Sequence, residues 1–175
     1  MDIKSELIQE HSKKQTLKIT RYIGNDPKRF AVLVKLFFQG QYLITQRAAW
    51  ALSLCSEVYP NLVKPYLKQL IENLKQPGLH DAVKRNTLRL LQDIDIPYHL
   101  TGSTADHCFK LLASKNEAVA VRVFSMSVLF NVCKKEPDLR NELKLLIEEQ
   151  LPYASAAFRS RGEKILQAMK KDAFQ

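Results

Sequence analysis

The chain has 175 residues, 46% of them hydrophobic and 26% charged, with a formal net charge of +9. That length and balance suit one domain with a core of its own and exclude a disordered or low-complexity chain. Five glycines are too few for the turns of an all-β protein, and no apolar run nears the roughly 20 residues needed to cross a bilayer.

The first residues, MDIKSELIQEHSKK, alternate polar and charged groups and lack the apolar core of a signal peptide, so a cytoplasmic location is expected. Short helices are predicted over 5–9 and 13–22. Their few apolar residues, among them Leu7, Leu17 and Ile19, leave a polar outer surface, as an end cap needs. From residue 26 the helices come in pairs. Asp26 and Pro27 read as the N-cap and first-turn proline of a helix over 26–39, which is followed by one over 42–58. The second pair covers 61–74 and 79–92, joined through the helix-stopping Gln76, Pro77 and Gly78. An irregular connection over 95–103, containing Pro97 and Gly102, precedes a third pair at 104–113 and 117–135. Its length makes it an expected place for a site. The fourth pair runs over 138–151 and 153–171, and Gly162 with its polar neighbours suits a C-terminal cap.

First helices carry a single apolar stripe, such as Leu62, Tyr66, Leu67, Leu70, Ile71 and Leu74. Second helices are apolar more nearly all round, as in Val119, Val121, Val123, Phe124, Met126, Val128 and Leu129, and must be covered on several sides. Near the start of each second helix stands an arginine: Arg47, Arg85, Arg122 and Arg161, at spacings of 38, 37 and 39 residues. A period in this range marks a two-helix unit that buries its apolar face only by stacking on copies of itself.

The residues around those arginines are Gln46-Arg47-Ala48-Ala49-Trp50-Ala51-Leu52, Val83-Lys84-Arg85-Asn86-Thr87-Leu88, Ala120-Val121-Arg122-Val123-Phe124-Ser125 and Ser160-Arg161-Gly162-Glu163-Lys164-Ile165. This pattern resembles the HEAT repeat, over about residues 26–171. The resemblance implies an all-α fold: a right-handed α-α superhelix of about four two-helix repeats with an N-terminal helical cap. On that reading 1–175 is a single domain, with the cap at 1–25 and the repeats at 26–171. It also implies a structural ladder, in which an acidic or amide residue before the second helix bonds the arginine of a neighbouring repeat. Asp81 and Asn116 fill that place, Gln41 and Ser155 less well, and Arg47, Arg85, Arg122 and Arg161 are the rungs.

Other chemistry is sparse. Cys55, Cys108 and Cys133 are odd in number, far apart and set among aliphatic residues, as buried reduced thiols are. Asp106, His107 and Cys108, with His99 upstream, lack the second pair that would complete a zinc site. Asp93 and Asp95 bound a turn, and no glycine-rich phosphate loop is present. No catalytic residue, metal, cofactor, small-molecule substrate or membrane role is expected. The positive charge is spread along the chain: cut at 25, 60, 97 and 137, the pieces carry +2, +2, +2, +2 and +1. No basic arm exists.

The function expected is a non-enzymatic macromolecular scaffold that binds an acidic protein partner on the concave face of its second helices. Lys84, Arg89, Lys134, Arg159 and Trp50 are the contact residues. The alternative is a nucleic-acid binder related to the HEAT-like alkylpurine DNA glycosylases, an enzymatic branch of this architecture. Those enzymes rely on an aspartate among aromatic residues, whereas Trp50 has no carboxylate within four residues on its helix.

Overall fold

The computed structural model describes residues 1–39 and 41–172, and in them the fold is all-α. Ten α-helices follow in order: α1 Ile3–Gln9, α2 Lys13–Ile23, α3 Pro27–Gln39, α4 Tyr42–Val58, α5 Leu67–Asn73, α6 Asp81–Gln92, α7 Tyr98–Ala113, α8 Val119–Val132, α9 Arg140–Gln150 and α10 Ala156–Asp172. They pack into two compact units, Met1–Ile94 and Asp95–Gln175.

In the first unit the helix starts follow from local chemistry. The Asp2 carboxylate accepts from the Ser5 amide at 3.0 Å and caps α1. Ser12 caps α2 by accepting from the Gln15 amide at 3.1 Å. Gly24, at φ 53°, ends α2 in a backbone region closed to most side chains. Asp26 Oδ1 then accepts from the Lys28 and Arg29 amides at 2.8 and 3.2 Å, so Asp26 and Pro27 begin α3 as their sequence predicts. Helix α4 lies at the centre, packed by α1, α2, α3 and α6. Ala48, Ala49 and Ala51 are at most 2% exposed there, because short side chains let the surrounding helices approach.

The second unit repeats this plan with fewer helices. Helix α7 packs along α8, α10 stacks on α8, and α9 lies against both α8 and α10. Gly162 on α10 is fully enclosed, and a Cβ there would lie 2.9 Å from Ile147 Cγ2 of α9. Gly162 therefore serves a close crossing of helices.

Several helices differ in extent from the sequence expectation. The segment 61–74 is no single helix: 3-10 turns at Pro60–Leu62 and Lys64–Tyr66 precede the seven-residue α5. Pro65 has no amide hydrogen and its ring opposes an α-helical carbonyl, so the segment tightens until it is past the proline. Pro137 and Pro152 likewise sit in 3-10 turns before α9 and α10. The connection expected over 95–103 is corrected most. Helix α7 begins at Tyr98, so the irregular stretch ends at Pro97. The Thr101 hydroxyl lies 2.7 Å from the Tyr98 carbonyl and 2.9 Å from Glu136 Oε1, while Lys135 Nζ lies 2.6 Å from both the Ile96 carbonyl and Asp95 Oδ1. These polar ties hold the start of α7 to the end of α8, and Gly102 is carried inside the helix.

Candidate functional site

The four repeat arginines occupy equivalent sequence positions and have four different environments. Arg47 Nη1 donates to the Leu7 and Ile8 carbonyls at 2.7 and 2.9 Å, gathering two of the unpaired carbonyl groups at the end of α1. Arg122 donates through Nε to the Leu112 carbonyl at 3.4 Å and through Nη2 to the Gln150 amide oxygen, with its guanidinium 4.8 Å from the Phe158 ring centroid. One side chain thus joins α8 to α7, α9 and α10. Arg161 Nη1 reaches back from α10 to the Ser127 hydroxyl at 2.6 Å. Arg85 is exposed, and among the described residues its guanidinium forms no hydrogen bond or ion pair. Asp81 and Asn116 are exposed too, and neither bonds an arginine among the described residues. The bonded arginines are met by backbone carbonyls, a hydroxyl and an amide.

The expected contact residues fall into both units. In the first, Arg89 Nη2 pairs with Glu57 of α4 at 2.8 Å, both side chains remaining partly exposed. Lys84 is half-buried, and roughly 140° of helical rotation separates it from Arg89, so the two do not share a row. Arg85 and Arg89, one turn apart, do share one. Trp50 is half-buried, edge-on to His11 with ring centroids 5.6 Å apart. In the second unit, Lys134 stands 5.2 Å from the Phe130 ring centroid and 3.2 Å from Asn131 Oδ1. Arg159 is exposed on α10 and lines a shallow depression with Ser160, Glu163 and Lys164.

Groups associated with covalent or metal chemistry are buried or dispersed. Cys55, Cys108 and Cys133 are free and buried. Burial pushes all three thiols up, Cys55 to about 11 against a Thr20 hydrogen bond that lowers it, Cys133 to about 11, and Cys108 further still. Such thiols hold their protons at neutral pH and are poor nucleophiles. His107 is 5% exposed and fixed between Asp106 and Ser103, with ring nitrogens 3.3 Å from each. Among the described residues no group of three or more His, Cys, Asp or Glu could hold a metal ion, and no helix is long and apolar enough to cross a membrane.

Sequence reasoning passed over one feature. Between α9 and α10 lies a cleft of about 380 Å³ lined by Arg140, Asn141, Lys144, Leu166, Met169 and Lys170. Its signal was the one-turn spacing of Arg140 to Lys144 and of Leu166 to Lys170, each placing two side chains on one helix face.

The family model described as a HEAT repeat domain matches residues 3–169. No curated protein and no solved structure matches the chain.

Proposed function

We propose that this chain, which belongs to the HEAT repeat family, is a non-enzymatic interaction scaffold whose second helices bind an acidic protein partner. HEAT repeats typically mediate protein interactions, and the match runs through both units, which supports treating 1–175 as one domain. The observation carrying the reading is a division among the cations. Arg47, Arg122 and Arg161 are occupied by helix ends and neighbouring side chains, whereas Arg85 and Arg159 present their charge to solvent. Lys84, Arg89, Lys134 and Arg159, with Trp50 as a half-buried aromatic contact, form the proposed binding set. Arg85 joins it through its shared row with Arg89.

A helical array presents a preformed surface, so many modest contacts bind without much ordering of the protein. Charge steers the encounter and makes it sensitive to salt. The test is a titration of the whole protein with short polyglutamate and, separately, with a single-stranded oligonucleotide, over a range of salt concentrations. Charge reversal at Lys84, Arg89, Lys134 and Arg159 should weaken polyglutamate binding by roughly tenfold or more while leaving the helical spectrum unchanged. Preferential binding of the oligonucleotide, with a salt slope reflecting several phosphates, would establish the nucleic-acid alternative instead.

A further inference from the structure

The α9–α10 cleft differs chemically from two other depressions of the second unit. Leu166 and Met169 supply an apolar floor, and Arg140, Lys144 and Lys170 stand around it with no carboxylate in the lining. The groove between α7 and α9, by contrast, places Asp106 and Glu142 beside Lys110, and the α10 depression sets Glu163 beside Arg159 and Lys164. Each of those linings mixes carboxylates with cations; this one holds cations alone.

Its geometry is braced from within. Arg140 Nη2 donates to the Met169 carbonyl at 3.2 Å, tying the start of α9 to the end of α10. Lys144 and Lys170 are exposed and form no ion pair among the described residues. Arg140 also lines a smaller neighbouring cleft of about 210 Å³ with Phe130 and Lys134, so the positive border continues past one cleft to the next. A volume of about 380 Å³ lies near the small end of the roughly 300–1,000 Å³ typical of ligand pockets. It suits a side chain of a bound segment better than a large cofactor. Methionine adapts to differently shaped apolar groups, which suits Met169 to such an occupant.

We propose that the α9–α10 cleft docks an acidic protein segment. One aliphatic side chain of that segment lies against Leu166 and Met169 while its flanking carboxylates meet Arg140, Lys144 and Lys170. A second copy of this chain placed symmetrically would set like charges against each other. A nucleic acid would find phosphate partners but no aromatic ring in the lining on which to stack a base. The inference shares with the second-helix reading only the class of partner, because Arg140 and Lys144 belong to a first helix and none of the three cations is in the second-helix set.

Methyl NMR of the whole protein labelled at methionine tests it. Met169 lines the cleft, and Met126, buried in α8, reports on the fold. The probe is a short synthetic peptide of glutamates flanking one leucine, compared with the same peptide carrying serine for leucine and with a thymidine oligonucleotide. The leucine peptide should shift the Met169 methyl signal and leave Met126 in place. It should bind roughly tenfold or more tightly than the serine peptide, and lose a similar factor in the Lys144→Glu/Lys170→Glu protein. An unmoved Met169 signal, equal binding of the serine peptide, unchanged affinity in the double variant, or a stronger response to the oligonucleotide would each overturn the proposal. If reversal of Lys84 and Arg89 abolishes peptide binding and reversal of Lys144 and Lys170 does not, the cleft inference falls and the second-helix reading stands.

Discussion

The first helix pair of the first unit and the last helix pair of the second spend their charges differently. In α1 and α2, Glu6 accepts from Lys18 Nζ at 2.7 Å and from Gln15 Nε2 at 2.6 Å, Gln15 also donates to the Glu6 carbonyl, and Arg47 gathers the carbonyls ending α1. Glu6, Gln15 and Lys18 satisfy one another. In α9 and α10, Arg140 bridges the helices while Lys144 and Lys170 face solvent around an apolar floor. A polar surface can therefore serve two ends: internal pairing closes a helix pair, whereas exposed charge around an apolar floor leaves it open to a partner.

Breaking the closed pair should have the largest effect. Arg47→Ala removes two hydrogen bonds from a charged donor and should cost about 2 kcal/mol. Urea denaturation measures the total, and amide exchange should show α1 opening first. Arg85→Ala, at an exposed site, should change stability by less than about 0.5 kcal/mol. Equal losses at the two positions would erase the distinction drawn between them.

Helix α10 offers a smaller change. Gly162→Ala gains about 1 kcal/mol in helix propensity but drives a methyl group against Ile147, a β-branched side chain fully enclosed in α9. Overpacking typically costs about 1–3 kcal/mol, so a net loss near 1 kcal/mol is expected by thermal denaturation. A more stable protein would mean that the crossing of α9 and α10 relaxes freely.

The smallest effect is one of pH. Hydrogen bonds from Lys18 and Gln15 hold the Glu6 carboxyl below its ordinary value of 4.5. Its stabilisation is therefore complete above about pH 4.5 and is lost as pH falls through the lower folded value. Glu6→Gln should lower stability at neutral pH and flatten its decline in acid, as followed by helical circular dichroism. An unchanged acid profile would mean that Glu6 does not secure α1.

The periodicity of the arginines made the helix pairs legible, because stacked copies of one unit return the same residue type to the same place. Prolines moved two helix starts: Pro65, inside a predicted helix, and Pro152, just before one. The arginines' partners could not be read in the same way. Arg47 and Arg122 use backbone carbonyls, which every residue has, so no side-chain pattern announces them. Gly162 read as part of a C-terminal cap, and only the 2.9 Å distance from its Cβ position to Ile147 Cγ2 shows a packing requirement. The α9–α10 cleft escaped notice for a related reason. Its two one-turn pairs, Arg140 with Lys144 and Leu166 with Lys170, are separated by more than twenty residues, and only the fold brings them together.

The central claim is that Arg47, Arg122 and Arg161 hold helices together while the other cations meet the partner. Melting temperature and affinity for short polyglutamate, measured side by side on the Arg47→Ala/Arg122→Ala protein and on the Lys84→Glu/Arg89→Glu/Lys134→Glu/Arg159→Glu protein, test it most directly. The first should lose stability and, at a temperature where it stays folded, keep its affinity; the second should keep its melting temperature and lose affinity. If the arginine variant retains full stability but binds weakly, or the charge-reversed protein binds as tightly as the original, the division between structural and binding cations is wrong.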